Sequence, residues 1–218
     1  MQVNADVRTS LTGQFLMARA MQVRCASEIE AKPPTEVTED DQIAHRGLVV
    51  GAIMQLTAAL ECEIWEVMVY GPGHHLGSDR LDGIARDFLA PIAEVIDRQK
   101  LLERYWMVLH LLDKAPLDRG EQPWQDADLV VRLRNELVHY RSRWGQELDR
   151  SRLFRALEDK RHSRPPFVST QGTNFFPRLC LSAACSSWAV RSCGVFLDSF
   201  YAHLGFPDRL DGFRSKLL

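Results

Sequence analysis

A chain of 218 residues with 45% hydrophobic and 26% charged residues has the length and apolar content to bury a proper core as one domain or little more. Its 27 basic and 29 acidic residues leave a formal charge of −2, which excludes a global basic field, so any nucleic-acid contact has to be local. Five cysteines, at positions 25, 62, 180, 185 and 193, form no C-x-x-C pair and leave an odd one over, against a disulfide framework or a zinc ribbon.

Reduced thiols, no cofactor and no bound metal are therefore expected. The opening M-Q-V-N-A-D-V-R lacks the basic-then-apolar pattern of a secretion signal, and no uncharged apolar run reaches membrane-spanning length. The expectation is a cytoplasmic protein with no membrane contact.

Taken in order, residues 11–30 form a helix candidate with Phe15, Leu16, Met21, Val23 and Ile29 apolar, closed by Lys32-Pro33-Pro34. This segment, residues 1–34, is expected to be an N-terminal helical arm, and residues 35–218 the helical domain. Thr38 and Asp41 have the spacing of a capping box ahead of the longest apolar helix, residues 43–70. Leu48, Ala52, Gln55, Ala59, Cys62, Trp65 and Val69 recur there at threes and fours, and apolar neighbours on its other faces imply burial on more than one side, which makes it the central core helix.

The loop G-P-G-H-H-L-G-S is the sharpest break in the chain. His74 and His75 in it have no cysteine or helical carboxylate beside them in sequence, so exposure is expected there and not metal binding. Residues 81–114 read as a helix pair, or one kinked helix, broken at Pro91. Residues 116–123 turn into the next helix. Residues 147–160 suggest a short helix, residues 161–177 a long polar and proline-rich loop, and residues 178–204 a closing apolar helix. Cys180, Cys185 and Cys193 ride on that last helix as small packed hydrophobes. Period-two alternation nowhere persists over a strand length, so the fold class is all-α, an antiparallel bundle of five to seven helices.

The segment richest in functional side chains is D-A-D-L-V-V-R-L-R-N-E-L-V-H-Y-R-S-R-W-G, residues 126–145. Asp126 and Asp128 suit the positive end of a helix dipole and Gly145 offers a stop. Leu129, Leu133, Leu137, Tyr140 and Trp144 make one apolar stripe facing a core. Off that stripe lie Arg134, Asn135 and His139, with Arg132, Arg141 and Arg143 around them. Four arginines in twelve residues are the densest basic cluster on any expected helix, and their plain alternative is a solvated face. Arg104 before His110 and Arg155 before His162 repeat the Arg-to-His spacing, but only His139 has an Asn directly after its Arg.

The string R-N-E-L-V-H resembles the signature of the HEPN superfamily, an Arg, a polar residue such as Asn, then a His with four to six residues between the Arg and the His. The resemblance spans roughly residues 40–205, more loosely outside the motif. It implies a HEPN-like helical bundle and, as site residues, Arg134, Asn135 and His139. It also implies a two-fold homodimer that pools Arg and His in one cleft, and ribonuclease activity in a defence or toxin–antitoxin setting, with a neutralising protein partner. In toxins of that family silenced by nucleotidyl transfer, a Tyr stands two residues after the His. Here Arg141 stands there and Tyr140 is one early.

The chemistry suits such residues. RNA supplies its own 2′-hydroxyl, so the protein needs a proton acceptor, a proton donor and positive charge on the phosphate. A histidine near its ordinary pKa of about 6.5 can do both proton jobs, and a guanidinium grips phosphate oxygens as a planar fork. Asn135 positions and does not react. On an ideal helix Arg134 and His139 point roughly 140° apart, whereas Asn135 and His139 share a face, and Val131 and Val138 form a second narrow apolar stripe between. A partner helix packed on that stripe would unite the two halves. The expected function is a metal-independent endoribonuclease with Arg132, Arg141 and Arg143 binding RNA. The alternative is a non-catalytic helical homodimer that binds RNA or protein.

Overall fold

The structure, a computed structural model, describes residues 11–71, 87–141 and 151–206. Among these the chain is all-helical, with no strand. Seven α-helices follow in order: α1 (Thr12–Glu30), α2 (Glu39–Tyr70), α3 (Ala93–Asp97), α4 (Leu101–Leu111), α5 (Trp124–Val138), α6 (Arg152–Glu158) and α7 (Ala183–Leu204). A 3₁₀ turn at Ala90–Ile92 leads into α3, and a π turn at Phe175–Leu179 precedes α7. Pro91 falls in the 3₁₀ turn, as expected of the break in that segment.

α2 starts where the capping box places it. The Thr38 side chain accepts from the Asp41 backbone N–H at 3.1 Å, and Asp41 Oδ2 accepts from the Thr38 N–H at 3.0 Å. Lys32 donates to the same carboxylate at 2.7 Å, which ties the end of α1 to the start of α2. The buried residues of α2 include Ala52 and Ala59 of the expected stripe together with Val49, Ile53, Leu56, Leu60, Ile64 and Val67 beside it, so the helix is buried on more than one side, as expected. Trp65, expected inside, is 37% exposed. α2 is apolar nearly all round, so its periodicity does not select the face, and the larger branched side chains won. By length and composition α2 could also cross a membrane, with mean hydropathy 1.5 over its richest window, but half of that window is buried inside the fold.

Two apolar clusters fill the bundle. The first joins Leu16 of α1, the second half of α2, α3, α4, Trp124, Ala127 and Val130 of α5, and the second half of α7. Tyr105 is buried there, and its hydroxyl donates to the Leu60 carbonyl at 2.7 Å. The second cluster joins Ala26, Val49 and Ile53 to Leu129 and Leu133, Phe154 of α6, Phe176, Cys180 and Cys185. Phe154 and Phe176 stack at 4.2 Å. α2 and α5 contribute to both clusters, so the helix carrying the R-N-E-L-V-H motif is anchored at both ends of the core. α1, expected as an arm, lies along α2 with Leu16 and Ala26 buried.

Two element boundaries depart from the expectation. α5 ends at Val138, with His139 as its C-cap at φ −108° and ψ 23°, where the pattern predicted a helix to residue 145. Tyr140 leaves the helical path and lies 5.8 Å from the Phe176 ring. A tertiary aromatic contact thus takes Tyr140 out of the predicted stripe. α7 begins at Ala183 and not at residue 178, because Phe176 is extended (φ −101°, ψ 138°) ahead of Pro177, and Ser182 caps the helix by accepting from the Cys185 N–H at 3.0 Å. His74, His75, Arg143, Trp144 and Gly145 lie outside the described residues.

The turn into α5 is held from above by Arg119. Its guanidinium sits 4.5 Å from the Trp106 ring centre and 5.6 Å from that of Trp124, with the Glu103 carboxylate as its ion-pair partner. Asp126 in the first turn of α5 accepts from Lys160 just beyond α6, so the first turn of the motif helix is fixed from two sides.

Candidate nucleic-acid interface

α5 presents its motif to a cleft of about 600 Å³ between α2, α4 and α5. Leu129 and Leu133 point into the second core cluster, which leaves Arg132, Arg134 and Asn135 to line the cleft wall. Arg134 is half-buried. Its Nη1 donates to Asn135 Oδ1 at 3.1 Å and its Nη2 reaches Glu61 Oε1 at 3.4 Å. Its Nε is cut off from solvent with no hydrogen-bond partner. Arg132 is exposed and pairs with Asp128 only loosely, at 3.9 Å.

From α4 and the turn before it come Lys100 and Arg104. Arg104 is committed, donating to the Gln99 carbonyl at 3.0 Å and to Asp97. Lys100, Arg104, Arg132 and Arg134 thus share the cleft with Glu61, Glu103 and Asp128. Charge there is nearly balanced, so an incoming phosphate must take the place of a carboxylate. The Arg134–Glu61 contact is the long one, and long ion pairs at a half-exposed surface contribute little.

His139 is not part of this cleft. Its backbone N–H donates to the Asn135 carbonyl at 3.0 Å as the helix ends, and its side chain is exposed. His139 stands one turn beyond Asn135 as the cap of α5. Arg141 is exposed just beyond. The second apolar stripe is likewise divided: Val131 packs against the first core cluster of its own chain, while Val138 is 48% exposed.

Sequence reasoning missed what stands at this end of α5. A pocket of about 350 Å³ is lined by Tyr140, Arg46 of α2 and Arg178 of the π turn. These two arginines come from segments far apart in the chain, and no local pattern could have joined them to the motif. His110, the first of the two spacing controls, stacks on Trp106 at 5.2 Å. The buried His45 is bound to Glu30 at 2.8 Å, and the same Glu30 oxygen accepts from the Ala183 N–H at 2.8 Å. His45 therefore has a structural role.

The other control, His162, lies with Cys180 and Cys185, their ligating atoms within 4.8 Å of one another. The adjoining Cys180 thiol holds Cys185 down to about 6, with His162 acting in the same sense, while Cys180 itself is pushed well above the thiol range by its neighbour and by burial. Packing of small hydrophobes, the role expected for these cysteines, leaves the imidazole between them out. The sequence signal is faint: a C-x4-C pair with a His eighteen residues upstream.

No family model, curated protein or solved structure matches the chain.

Proposed function

We propose that this chain is a metal-independent endoribonuclease whose site forms across a two-fold homodimer, as its HEPN-like motif implies. The observation that carries the proposal is the half-buried Arg134 held beside Asn135 in an open cleft, with its enclosed Nε lacking a partner and Glu61 only loosely in place. A phosphate displacing Glu61 would meet a planar fork of donors already oriented by Asn135. His139 of the same chain lies outside that cleft, and the exposed Val138 beside it is the apolar contact a second copy would cover. In the dimer, His139 of one protomer serves the Arg134 cleft of the other. It takes the proton from the 2′-hydroxyl and returns one to the leaving 5′-oxygen, leaving a 2′,3′-cyclic phosphate. Arg132 and Arg141 extend the phosphate path, with Arg143 beside them in sequence. A cytoplasmic, toxin-like setting with a neutralising protein partner belongs to the same proposal.

One observation favours the second reading, a non-catalytic dimer that binds RNA or protein: Arg134 has a carboxylate partner and His139 is apart from it. Mixing decides between them. Single-stranded RNA, with DNA as control, is incubated in EDTA with wild type, Arg134→Ala, His139→Ala and a refolded one-to-one mixture of the two variants. Each variant alone should lose about 10²- to 10⁴-fold in rate. The mixture should recover about a quarter of wild-type activity, since half of its dimers hold one intact site of two. Cleavage that persists in His139→Ala refutes the proposal, and RNA binding without cleavage by the wild type supports the scaffold instead.

A further inference from the structure

We propose that His162, Cys180 and Cys185 form a zinc site of the Cys₂His type, beside the pocket that His162 also lines. The three ligating atoms lie within 4.8 Å of one another. Tetrahedral zinc, with bonds of about 2.3 Å to sulfur and about 2.0 Å to nitrogen, places its ligands roughly 3.5 to 3.8 Å apart. Closing the cluster onto an ion therefore asks for side-chain adjustments of about an ångström or less.

Burial points the same way. Cys180 and Cys185 are fully enclosed. Both ring nitrogens of His162 are cut off from solvent, and neither makes a hydrogen bond of ordinary geometry, the Cys185 thiol being its polar neighbour. A buried polar group without a partner is costly, and native structures seldom leave one. An ion supplies the missing partner to one nitrogen. Core packing explains the two thiols but gives no reason for an imidazole directed between them.

The backbone around the cluster is fixed independently of any ion. Cys180 donates its N–H to the Phe175 carbonyl at 2.8 Å, and Ser182 bridges from the Cys180 carbonyl at 3.0 Å to the Cys185 N–H at 3.0 Å. This turn aims both sulfurs to one side. His162 is delivered by Arg161, a non-glycine residue at φ +52°, in the left-handed region that such residues seldom occupy. Its ring lies nearly parallel to Trp188 at 6.2 Å, which fixes its plane.

Two thiolates and an imidazole select a borderline-soft ion, and zinc fits without redox chemistry. His162 also lines an adjoining pocket of about 390 Å³ with Glu158, a source for the fourth ligand. The cluster shares no residue with the Arg134 cleft. The ion's role is structural: it joins the segment after α6 to the start of α7, and the proposal is independent of ribonuclease activity.

The full chain, purified without chelator and then denatured, should release about one zinc per chain to a colorimetric chelator. His162→Gln and Cys185→Ser should release less than about a fifth of that, while Cys62→Ser, outside the cluster, should release as much as wild type. Refolding wild type with cobalt should give the intense visible bands of tetrahedral Co²⁺ and thiolate-to-metal charge transfer in the near ultraviolet. His162→Gln, which leaves both core thiols in place, should weaken or shift those bands. Substoichiometric metal together with no tetrahedral cobalt spectrum in wild type overturns the site. So does a Cys62→Ser protein that loses the metal as fully as Cys185→Ser. If Cys185→Ser fails to fold, the His162→Gln stoichiometry and the cobalt spectra decide alone.

Discussion

Replacing Arg19 with methionine should make the protein more stable. Arg19 is on α1 and only 5% exposed, beside a largely apolar cavity of about 290 Å³ lined by Leu16, Leu56, Leu60 and Leu197. Its Nε and Nη1 are buried with no hydrogen-bond partner. Burial draws the guanidinium down from its ordinary value to about 10, with Cys193 acting against it. That displacement corresponds to about 3 kcal/mol of disfavoured charge in the folded state. Because the folded value lies below the unfolded one, the full cost is present below pH about 10 and is relieved only as pH rises above it. Methionine keeps the unbranched stem, removes the charge and places apolar atoms against the cavity wall. The expected gain is about 1 to 3 kcal/mol in urea unfolding at neutral pH, with a midpoint rise of roughly 2 to 4 °C per kcal/mol on heating. A loss of more than about 1 kcal/mol would refute this reasoning and mark Arg19 as a residue whose charge is used.

Leu133→Ala should cost about 2 to 5 kcal/mol, since Leu133 is fully enclosed in the second cluster, and chemical denaturation measures it. Asp41 is held at about 2, below its ordinary 3.8, by Lys32 first and Thr38 next. Its contribution is present above pH about 3.8 and lost as pH falls toward 2, so Asp41→Asn should flatten the acid limb of the stability profile in that window. Glu61→Gln should tighten binding of a fluorescent oligouridylate by about 1 kcal/mol, roughly fivefold, by freeing Arg134 for phosphate. Unchanged affinity would mean that Glu61 does not occupy the phosphate's place.

The all-helical class was legible because periodicity and its breaks are local properties. Thr38 and Asp41 are three residues apart, and their geometry follows from that spacing alone. Burial of α2 on more than one side was legible, but not which residues lie deepest, because an almost uniformly apolar helix carries little signal for which side meets its neighbours. The end of α5 was hidden for another reason: the stripe continues through Tyr140, but Phe176, from a distant segment, takes that ring out of the helix. Within the motif, Arg134 and Asn135 fall together as neighbours must, whereas the side chain of His139 depends on where the helix stops. Arg46 and Arg178 beside Tyr140, and His162 beside Cys180 and Cys185, are encounters between remote segments that no spacing announces.

Trp124 has a consequence for measurement. It belongs to the wall of the Arg134 cleft, and the Arg119 cation lies over its ring together with that of Trp106. An indole is an optical probe whose emission follows the charge and solvent around it. Anything that enters the cleft, or pulls the segment before α5 away from these rings, changes that surrounding. The unlabelled protein therefore carries its own fluorometer for occupancy: in a nucleotide titration followed by tryptophan emission, the part of the change that Trp124→Phe removes is the cleft's own signal among the chain's five indoles.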